Sequence, residues 1–177
     1  LDRYRCIADY AAAKARILER AATAIVNLDD EIVLRMRRPG QRTLGFSLSR
    51  GDADFRVLAR EDGDWLAAGD EALKLLPALR LPGRHNAANA LAALAVGSAC
   101  GFPREAMTGV LGRFGGLPHR AERVRDRRGV AWIDDSKGTN VGATLAALKG
   151  LAGPLVLIAG GLAKGQDLAP LAAGARG

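Results

Sequence analysis

The chain has 177 residues, of which 49% are hydrophobic and 25% are charged, and it carries a net charge of +7 at pH 7. This length allows one large domain or parts of two, and the composition is that of a globular protein with a hydrophobic core. The positive charge does not by itself predict nucleic-acid binding, because no aromatic residues alternate with the arginines as base stacking requires. We expect neither a nucleic-acid partner nor a membrane span, since no apolar run reaches the ~20 residues that cross a bilayer.

The cysteines and the chain ends give two further expectations. Cys6 and Cys100 form no zinc-binding spacing with His85 or His119. Two isolated cysteines are typical of a reducing compartment, so we expect a cytoplasmic location. The first residue is Leu1 rather than a methionine, and we expect both ends to be cut from a longer protein.

A helix is predicted over residues 7–23, where apolar side chains recur at the spacing of one helix face. Lys14 lies within this apolar face, together with Tyr10 and Ile17. In one interpretation the lysine stem is buried and its ammonium group reaches water. In the other, the amine lies in a cleft, where desolvation favours its neutral and reactive form.

A group of strands follows this helix. A buried strand is predicted over residues 24–28, and Asp29, Asp30 and Glu31 after it suit a structural role at the start of a helix, where the macrodipole favours negative charge. We expect a small antiparallel or mixed sheet without catalytic groups. Its other strands are predicted over residues 43–48, 54–59 and 64–68.

A loop over residues 81–86 leads into a helix predicted over residues 87–99. Asn86 and Asn89 share one face at the start of this helix, and His85 adjoins them. A single asparagine is explained as a helix cap. Two asparagines beside a histidine favour a helix start that also binds a polar ligand, since amide side chains both donate and accept hydrogen bonds.

Residues 115–120 contain two glycines and a proline, and they predict a hinge or a domain boundary. A helix is predicted before this hinge, over residues 104–114. After the hinge the pattern begins again, with strands over residues 122–125, 130–133 and 155–159 and a helix over residues 141–148.

A polar stretch over residues 135–140 joins a predicted strand to a predicted helix. Open α/β sheets bind ligands at the carboxyl ends of their strands, so this position predicts a ligand site. The alternative is a capping segment, in which Asp135 or Ser136 caps the helix. Capping gives no reason for Lys137, because the helix macrodipole disfavours a cation at that end.

Residues 160–165 are a second and weaker candidate for anion binding. They form a glycine-rich loop with Lys164 after a predicted strand, and backbone N–H groups in such loops can bind anions. The chain contains no Walker motif, so this loop is not a phosphate loop of that kind.

The residues singled out above fall into short motifs that resemble the Mur ligase family. The Asp-Ser-Lys-x-Thr-Asn motif resembles in particular the branch of this family that adds D-glutamate. In chain order the motifs are Asp2-Arg3-Tyr4, Tyr10-Ala-Ala-Ala-Lys14, His85-Asn86-x-x-Asn89-Ala90, Gly116-Leu117-Pro118-His119-Arg120-x-Glu122, Asp135-Ser136-Lys137-Gly138-Thr139-Asn140 and Gly160-Gly161-x-x-Lys164.

The resemblance implies an α/β fold made of parts of two domains. Residues 1–117 resemble the latter part of a central ATP-binding domain, with a mixed sheet and helices. Residues 118–177 resemble the first part of a Rossmann-like C-terminal domain, which holds D-glutamate. The phosphate loop of such a ligase would lie outside this chain, so we expect the chain alone to be inactive.

The resemblance also implies ATP-dependent amide formation with Mg²⁺. The carboxylate of UDP-N-acetylmuramoyl-L-alanine would take a phosphoryl group, and the amine of D-glutamate would then displace phosphate from the acyl phosphate. Each step concentrates negative charge, which requires magnesium and lysines near the reacting groups. We expect a monomer that acts on these small molecules in peptidoglycan precursor synthesis.

Residue roles follow from the same resemblance, motif by motif. Lys14 resembles a carbamoylated catalytic lysine, whose CO₂ adduct helps to hold Mg²⁺, and His119 is expected to shape the hinge. The expected nucleotide-binding residues are Asn89, Arg120 and Asp135. The expected D-glutamate-binding residues are Lys137, Thr139 and Lys164, of which Lys137 is also expected to be catalytic.

A noncatalytic nucleotide-binding module derived from the same fold is the alternative. Such a module would use Asn89, Arg120 and Asp135, whereas Lys14 would stay an ordinary amine. A phosphate loop in a longer form of the sequence would favour the ligase, and its absence would favour the module.

Overall fold

The structure, a computed structural model, describes residues 3–81, 83–151, 153–162 and 165–174. The chain divides into two compact units, Leu1–Phe114 and Gly115–Gly177. The first unit contains a sheet covered by helices, and the second contains a β-hairpin followed by helices. No helix among the described residues is both long enough and apolar enough to cross a membrane.

The first unit begins with alternating helices and strands and continues with a run of strands. Its elements are α1 (Ile7–Ala15), a 3₁₀ turn (Arg16–Leu18), β1 (Thr23–Asn27), α2 (Glu31–Arg35), β2 (Arg42–Ser47), β3 (Phe55–Arg60), β4 (Gly63–Ala68), β5 (Glu71–Leu75), a second 3₁₀ turn (Leu76–Ala78), α3 (Arg84–Ala99) and α4 (Arg104–Arg113).

Two helix boundaries differ from the sequence prediction. The helix predicted over residues 7–23 ends at the 3₁₀ turn, where the side-chain amide of Gln41 donates to the carbonyls of Leu18 and Ala21, both at 2.7 Å. These carbonyls thereby gain partners outside the helix. The helix predicted over residues 87–99 begins earlier, at Arg84, directly after Gly83, whose φ of 104° lies in a region open to glycine.

The strands form a five-stranded sheet in the order β1-β2-β3-β4-β5. The first three strands run parallel to one another. Strand β4 pairs antiparallel with β3, and β5 pairs antiparallel with β4. The predicted mixed sheet with helices is therefore confirmed.

The connection between β2 and β3 is short for parallel strands, which normally need a crossover of a dozen or more residues. Residues 48–54 suffice because the two strands overlap only at Phe46↔Phe55 and Ser47↔Arg56. Because β3 begins beside the end of β2, the chain has only to step sideways.

Helix α3 covers the sheet and supplies most of the core. It packs on β1, β2, β3 and β4. Its buried residues Ala87, Leu91 and Leu94 recur at helical spacing, so one face of α3 is apolar. This face packs against Phe55 and Leu66 in the main hydrophobic cluster.

The acidic residues after β1 have two structural roles. Asp30 caps α2 by accepting hydrogen bonds from two backbone N–H groups of its first turn. Asp29 instead accepts hydrogen bonds from Ser47, Leu48 and Ser49 at the end of β2. Burial alone would raise the pKa of Asp29, but the hydrogen bonds from these residues outweigh burial and lower the pKa.

The second unit contains β6 (Glu122–Arg127), β7 (Val130–Asp134), α5 (Val141–Gly150) and α6 (Ala169–Gly174), and β6 pairs antiparallel with β7. The strand predicted over residues 155–159 is wrong, because these residues join no ladder in the described part of the chain. Val156 is 92% exposed and Ile158 is 82% exposed. An apolar run forms a strand only where a neighbouring strand can pair with it.

The β6–β7 hairpin turns through two residues, Arg128 and Gly129, between the paired residues Arg127 and Val130. The φ angles are 53° at Arg128 and 78° at Gly129. Positive φ at both positions is the requirement of a type I′ turn. Gly129 meets it without strain, whereas the Cβ of Arg128 makes this conformation unfavourable by roughly 1–2 kcal/mol.

We expect Arg128→Asn to stabilise the hairpin by roughly 0.5–1 kcal/mol, because asparagine tolerates positive φ better than arginine. Urea unfolding followed by Trp132 fluorescence measures the change, and a Trp65→Phe background leaves Trp132 as the reporter. Arg128→Val is the matched control and should destabilise the hairpin, since it also removes the charge but is β-branched. An asparagine variant no more stable than its parent would contradict the assigned turn.

Candidate functional site

The polar stretch at residues 135–140 forms a loop between β7 and α5. Asn140 is the N-cap of α5, since its side chain accepts a hydrogen bond from the N–H of Ala143 at 2.9 Å. The predicted alternative, a cap at Asp135 or Ser136, is therefore wrong. Lys137 lies ahead of the helix, where its charge does not oppose the first turn.

This loop is hydrogen-bonded to the chain just before β6. The N–H of Lys137 donates to the carbonyl of His119 at 3.1 Å. The N–H of Ala121 donates to Oδ1 of Asp135 at 3.0 Å. Because Arg120 lies between His119 and Ala121, the structure brings Arg120, Asp135 and Lys137 together. We call residues 119–122 the approach segment and residues 134–139 the acidic loop.

A side-chain contact joins the same two segments. Nδ1 of His119 lies 2.7 Å from Oδ2 of Asp134, and Oδ1 of Asp134 accepts a hydrogen bond from the N–H of Ser136 at 2.9 Å. The hydrogen bond from His119, followed by those from Ser136, lowers the pKa of Asp134 from 3.8 to about 2. The ionised carboxylate can only accept, so Nδ1 of His119 carries the proton.

Two residues of the approach segment have unfavourable backbone conformations. The φ angle is 64° at His119 and 47° at Ala121. Such conformations cost of order 1–3 kcal/mol each and persist only where surrounding contacts hold them. One such contact is the hydrogen bond from the N–H of His119 to Oε2 of Glu122 at 2.8 Å. Arg120 thus lies between two residues held in strained conformations.

The groups that face solvent here suit an anionic ligand. The side chains of Arg120, Lys137 and Thr139 are exposed and make no hydrogen bond or ion pair within the described ranges of the chain. Two cations and a hydroxyl can bind carboxylate or phosphate oxygens by charge-assisted hydrogen bonds. Lys164, the other lysine expected at this site, lies outside the described residues.

In the first unit, the position of Lys14 differs from the expectation of a desolvated amine. Lys14 is exposed on α1, and no residue of α1 is buried. Ile17 of the following 3₁₀ turn is 81% exposed, and the main contacts of α1 are with this turn and α2 rather than with a core. Nζ of Lys14 lies 5.3 Å from the centroid of the Tyr10 ring, which is a cation–π contact.

Asn86 and Asn89 lie near the start of α3, and neither caps it, because the N-cap position is Gly83. Asn89 is exposed. A cavity of about 360 Å³ adjoins this helix start, and Asn89 does not line it. The cavity is lined by Leu48, Val57, Asp64, Leu76, Leu79, Leu81, Gly83, Arg84 and Ala87.

His119, Glu122 and Asp134 offer possible metal-ligand atoms within 4.8 Å of one another. The hydrogen bonds of His119 to Asp134 and Glu122 already account for this arrangement. We therefore assign these residues to holding the acidic loop rather than to an ion.

Residues 1–97, more than half of the chain, match the family described as the Mur ligase middle domain. The chain belongs to the Mur ligase family. The UDP-N-acetylmuramate–alanine ligase of Thermotoga maritima has the same fold, with a TM-score of 0.62 and 18% identity over 82% of this chain and 34% of that one. A pseudomurein peptide ligase type C from Methanothermus fervidus matches with a TM-score of 0.60 and 16% identity over 84% of this chain and 38% of that one. The predicted α/β fold is confirmed.

Relatives with higher sequence identity carry a more specific name. The UDP-N-acetylmuramoylalanine–D-glutamate ligase of Methylococcus capsulatus is 51% identical over 174 residues, which are 97% of this Mur ligase chain and 38% of that protein. The ligase of the same name from Nitrosospira multiformis is 51% identical over 177 residues, which are 98% of this chain and 37% of that protein. The chain thus spans less than two-fifths of the length of these relatives.

We expect acid to weaken the acidic loop through Asp134. The pKa of Asp134 is lowered from 3.8 to about 2 by folding, so its ionised form contributes stability that is present above pH 3.8 and lost as the pH falls through about 2. Asp134→Asn keeps an oxygen acceptor but cannot ionise, so it should lose less stability across this window than the parent. Urea unfolding followed by Trp132 fluorescence at several pH values makes the comparison. Equal losses in both proteins would contradict the prediction.

Proposed function

We propose that this chain supplies part of the nucleotide site and part of the amino-acid site of an ATP-dependent ligase that adds D-glutamate to UDP-N-acetylmuramoyl-L-alanine in peptidoglycan precursor synthesis. The observation that carries the proposal is the acidic loop, which presents Lys137 and Thr139 beside Arg120 and Asp135. The relative from Methylococcus capsulatus, named for a D-glutamate ligase activity, supports the same choice.

The exposed groups of the acidic loop fit D-glutamate, which has two carboxylates and reacts through its amine. The ammonium group of Lys137 and the hydroxyl group of Thr139 would bind one carboxylate, and Lys164 would bind the other. With both carboxylates held, the amine is free to attack the acyl phosphate. Lys137 would also stabilise the negative charge that develops as phosphate leaves.

The approach segment and the start of α3 fit a nucleotide. ATP would supply the phosphoryl group that activates the substrate carboxylate. The guanidinium group of Arg120 can form paired hydrogen bonds with phosphate oxygens. Asp135 accepts from Ala121 through Oδ1, which leaves Oδ2 to accept from a sugar hydroxyl. The amide of Asn89 can both donate to and accept from an adenine edge.

Lys14 would hold Mg²⁺ only after modification, because an ammonium group cannot ligate a cation that prefers oxygen. We infer that the neutral amine attacks CO₂, forming an N–C bond and releasing a proton to solvent, so that a carbamate oxygen becomes the ligand. The exposed position of Lys14 gives dissolved CO₂ access to the amine. The modified side chain would leave the Tyr10 ring, whose face is attracted to cations.

We further propose that residues 1–117 are the latter part of the central ATP-binding domain and that residues 118–177 are the first part of the C-terminal domain. The middle-domain family match, which covers residues 1–97, supports the first assignment. We propose that the intact enzyme is a cytoplasmic monomer with small-molecule substrates and no nucleic-acid or membrane partner.

A noncatalytic nucleotide-binding module is the second candidate. The observation that favours it is the exposed Lys14, which lies against Tyr10 as an ordinary cation would. Such a module would bind a nucleotide through Asn89, Arg120 and Asp135, without forming a carbamate or a peptide product.

In the intact enzyme, Lys137→Ala should lower kcat/KM for D-glutamate by roughly 100- to 1,000-fold, since a group that stabilises developing charge typically contributes about that factor. Lys149→Ala is the matched control, because Lys149 is an exposed lysine of α5 outside the loop. Product formation with D-glutamate, L-glutamate and L-alanine tests the substrate. Incorporation of only another amino acid would disprove the D-glutamate assignment, and nucleotide binding without any product would favour the module.

Lys14→Arg should abolish ligase activity, because arginine keeps the cation but forms no stable carbamate. NMR with ¹³C-labelled bicarbonate should show a carbamate signal in the parent enzyme with Mg²⁺ and lose it in the variant. Full activity of Lys14→Arg, or a parent enzyme without the carbamate signal, would contradict the proposed role of Lys14. Lys14 would then be an ordinary amine.

A further inference from the structure

His119 and Asp134 have no part in the chemistry proposed above, yet they join the two segments that carry it. We propose that they are positioning residues, whose mutual hydrogen bond holds the approach segment against the acidic loop so that Arg120 and Lys137 keep one fixed relation. This inference rests on the proposed function, because it concerns how the nucleotide-binding and amino-acid-binding groups of that site keep their relative positions.

Asp134 is suited to this role because it is fixed on both sides. It is the last residue of β7, and its backbone is paired with Glu122 of β6. Oδ2 contacts the ring of His119 at 2.7 Å, and Oδ1 accepts from the N–H of Ser136 at 2.9 Å. One carboxylate therefore binds the approach segment with one oxygen and the acidic loop with the other.

His119 is held at three separate groups. Its N–H donates to Glu122 at 2.8 Å, its carbonyl accepts from the N–H of Lys137 at 3.1 Å, and its ring donates to Asp134. A residue held at its N–H, its carbonyl and its ring cannot rotate alone. If the ring contact is lost, the backbone at Lys137 becomes free to shift with His119.

Because the approach segment is strained, the hydrogen bond between His119 and Asp134 also affects the position of Arg120. Arg120 lies between His119 and Ala121, whose φ angles are 64° and 47°. Without the contacts that hold them, both residues should relax toward the negative φ that side chains favour. Relaxation would redirect the Arg120 side chain at the same time as it moves the acidic loop.

Proton transfer is the competing role for His119. Because Nδ1 carries the proton, Nε2 of the neutral ring is an acceptor and could take a proton from an attacking amine. The two roles make opposite predictions for His119→Asn. The amide nitrogen of asparagine can replace the Nδ1 donor toward Asp134, but asparagine cannot act as a base.

The experiment uses the intact enzyme and the variants His119→Ala, His119→Asn, Asp134→Ala and Asp134→Asn. Each alanine variant should weaken both ligands, raising the KM for D-glutamate and the Kd for ADP by about tenfold. The asparagine variants should stay within about threefold of the parent for both constants. In Asp134→Asn the amide oxygen can accept from the N–H of Ser136 while the amide nitrogen donates to Nδ1 of the other neutral tautomer of His119. Asp126→Ala is the matched control, since Asp126 pairs with Arg123 in the same hairpin without touching the acidic loop, and it should change neither constant.

A double-mutant cycle decides whether the two residues act as one. The combined His119→Ala, Asp134→Ala variant should be no worse than either single variant, because each change already breaks the contact. Additive losses, a change in the constant of one ligand alone, or His119→Asn as damaged as His119→Ala would each overturn the proposal. A lower kcat in His119→Asn with both constants unchanged would instead assign His119 to proton transfer.

Amide hydrogen exchange separates this proposal from the proposed function. In Asp134→Ala, exchange should increase both at residues 119–122 and at residues 135–138, whereas Asp134→Asn should keep the protection of the parent. This result is expected even if the parent shows no ligase activity, which would disprove the proposed function alone. Unchanged exchange in Asp134→Ala would overturn the positioning role whatever the activity.

Discussion

The carboxylate of Asp134 accepts hydrogen bonds from the ring of His119 and from the backbone of Ser136, and it thereby joins the two segments that carry Arg120 and Lys137. Arg120 follows His119 in the chain, and Lys137 follows Ser136. No described residue of the second unit is fully buried, so apolar packing contributes little to holding this loop. Charge-assisted hydrogen bonds, which are roughly twice as strong as neutral ones, hold the loop instead. The geometry of the proposed site therefore depends on polar contacts.

The first unit places a carboxylate similarly but supports it differently. Asp29 follows β1 and binds Ser47 and the backbone beyond β2, and Asp134, the last residue of β7, binds the chain before β6. In both cases hydrogen bonds lower the pKa of the carboxyl group. Ser47 is fully buried in the first unit, whereas His119 is exposed. A hydrogen-bonded carboxylate thus stabilises a packed sheet in one unit and an exposed loop in the other.

The sequence allowed the mixed sheet, the long α3 helix and the polar loop between β7 and α5 to be predicted, because alternation, helical spacing and strand-end position are local signals. It did not show that residues 155–159 would lack a neighbouring strand, or that no core would cover Lys14, since both depend on distant parts of the chain. The contact of His119 with Asp134 joins residues 15 positions apart and was missed for the same reason. A local signal did exist in Glu122, three residues after His119, where an acid can accept the N–H of a residue in a tight turn.

The short overlap between β2 and β3 affects how the sheet is held together. Only the pairs Phe46↔Phe55 and Ser47↔Arg56 join β1 and β2 to the part of the sheet formed by β3, β4 and β5, so the backbone ladder is weakest at that seam. Helix α3 crosses the seam, because it packs on β1 and β2 on one side and on β3 and β4 on the other. The two parts of the sheet are therefore held together more by packing against the apolar face of α3 than by strand pairing. The polar start of that helix, with Asn86 and Asn89, inherits its rigidity from the same contacts.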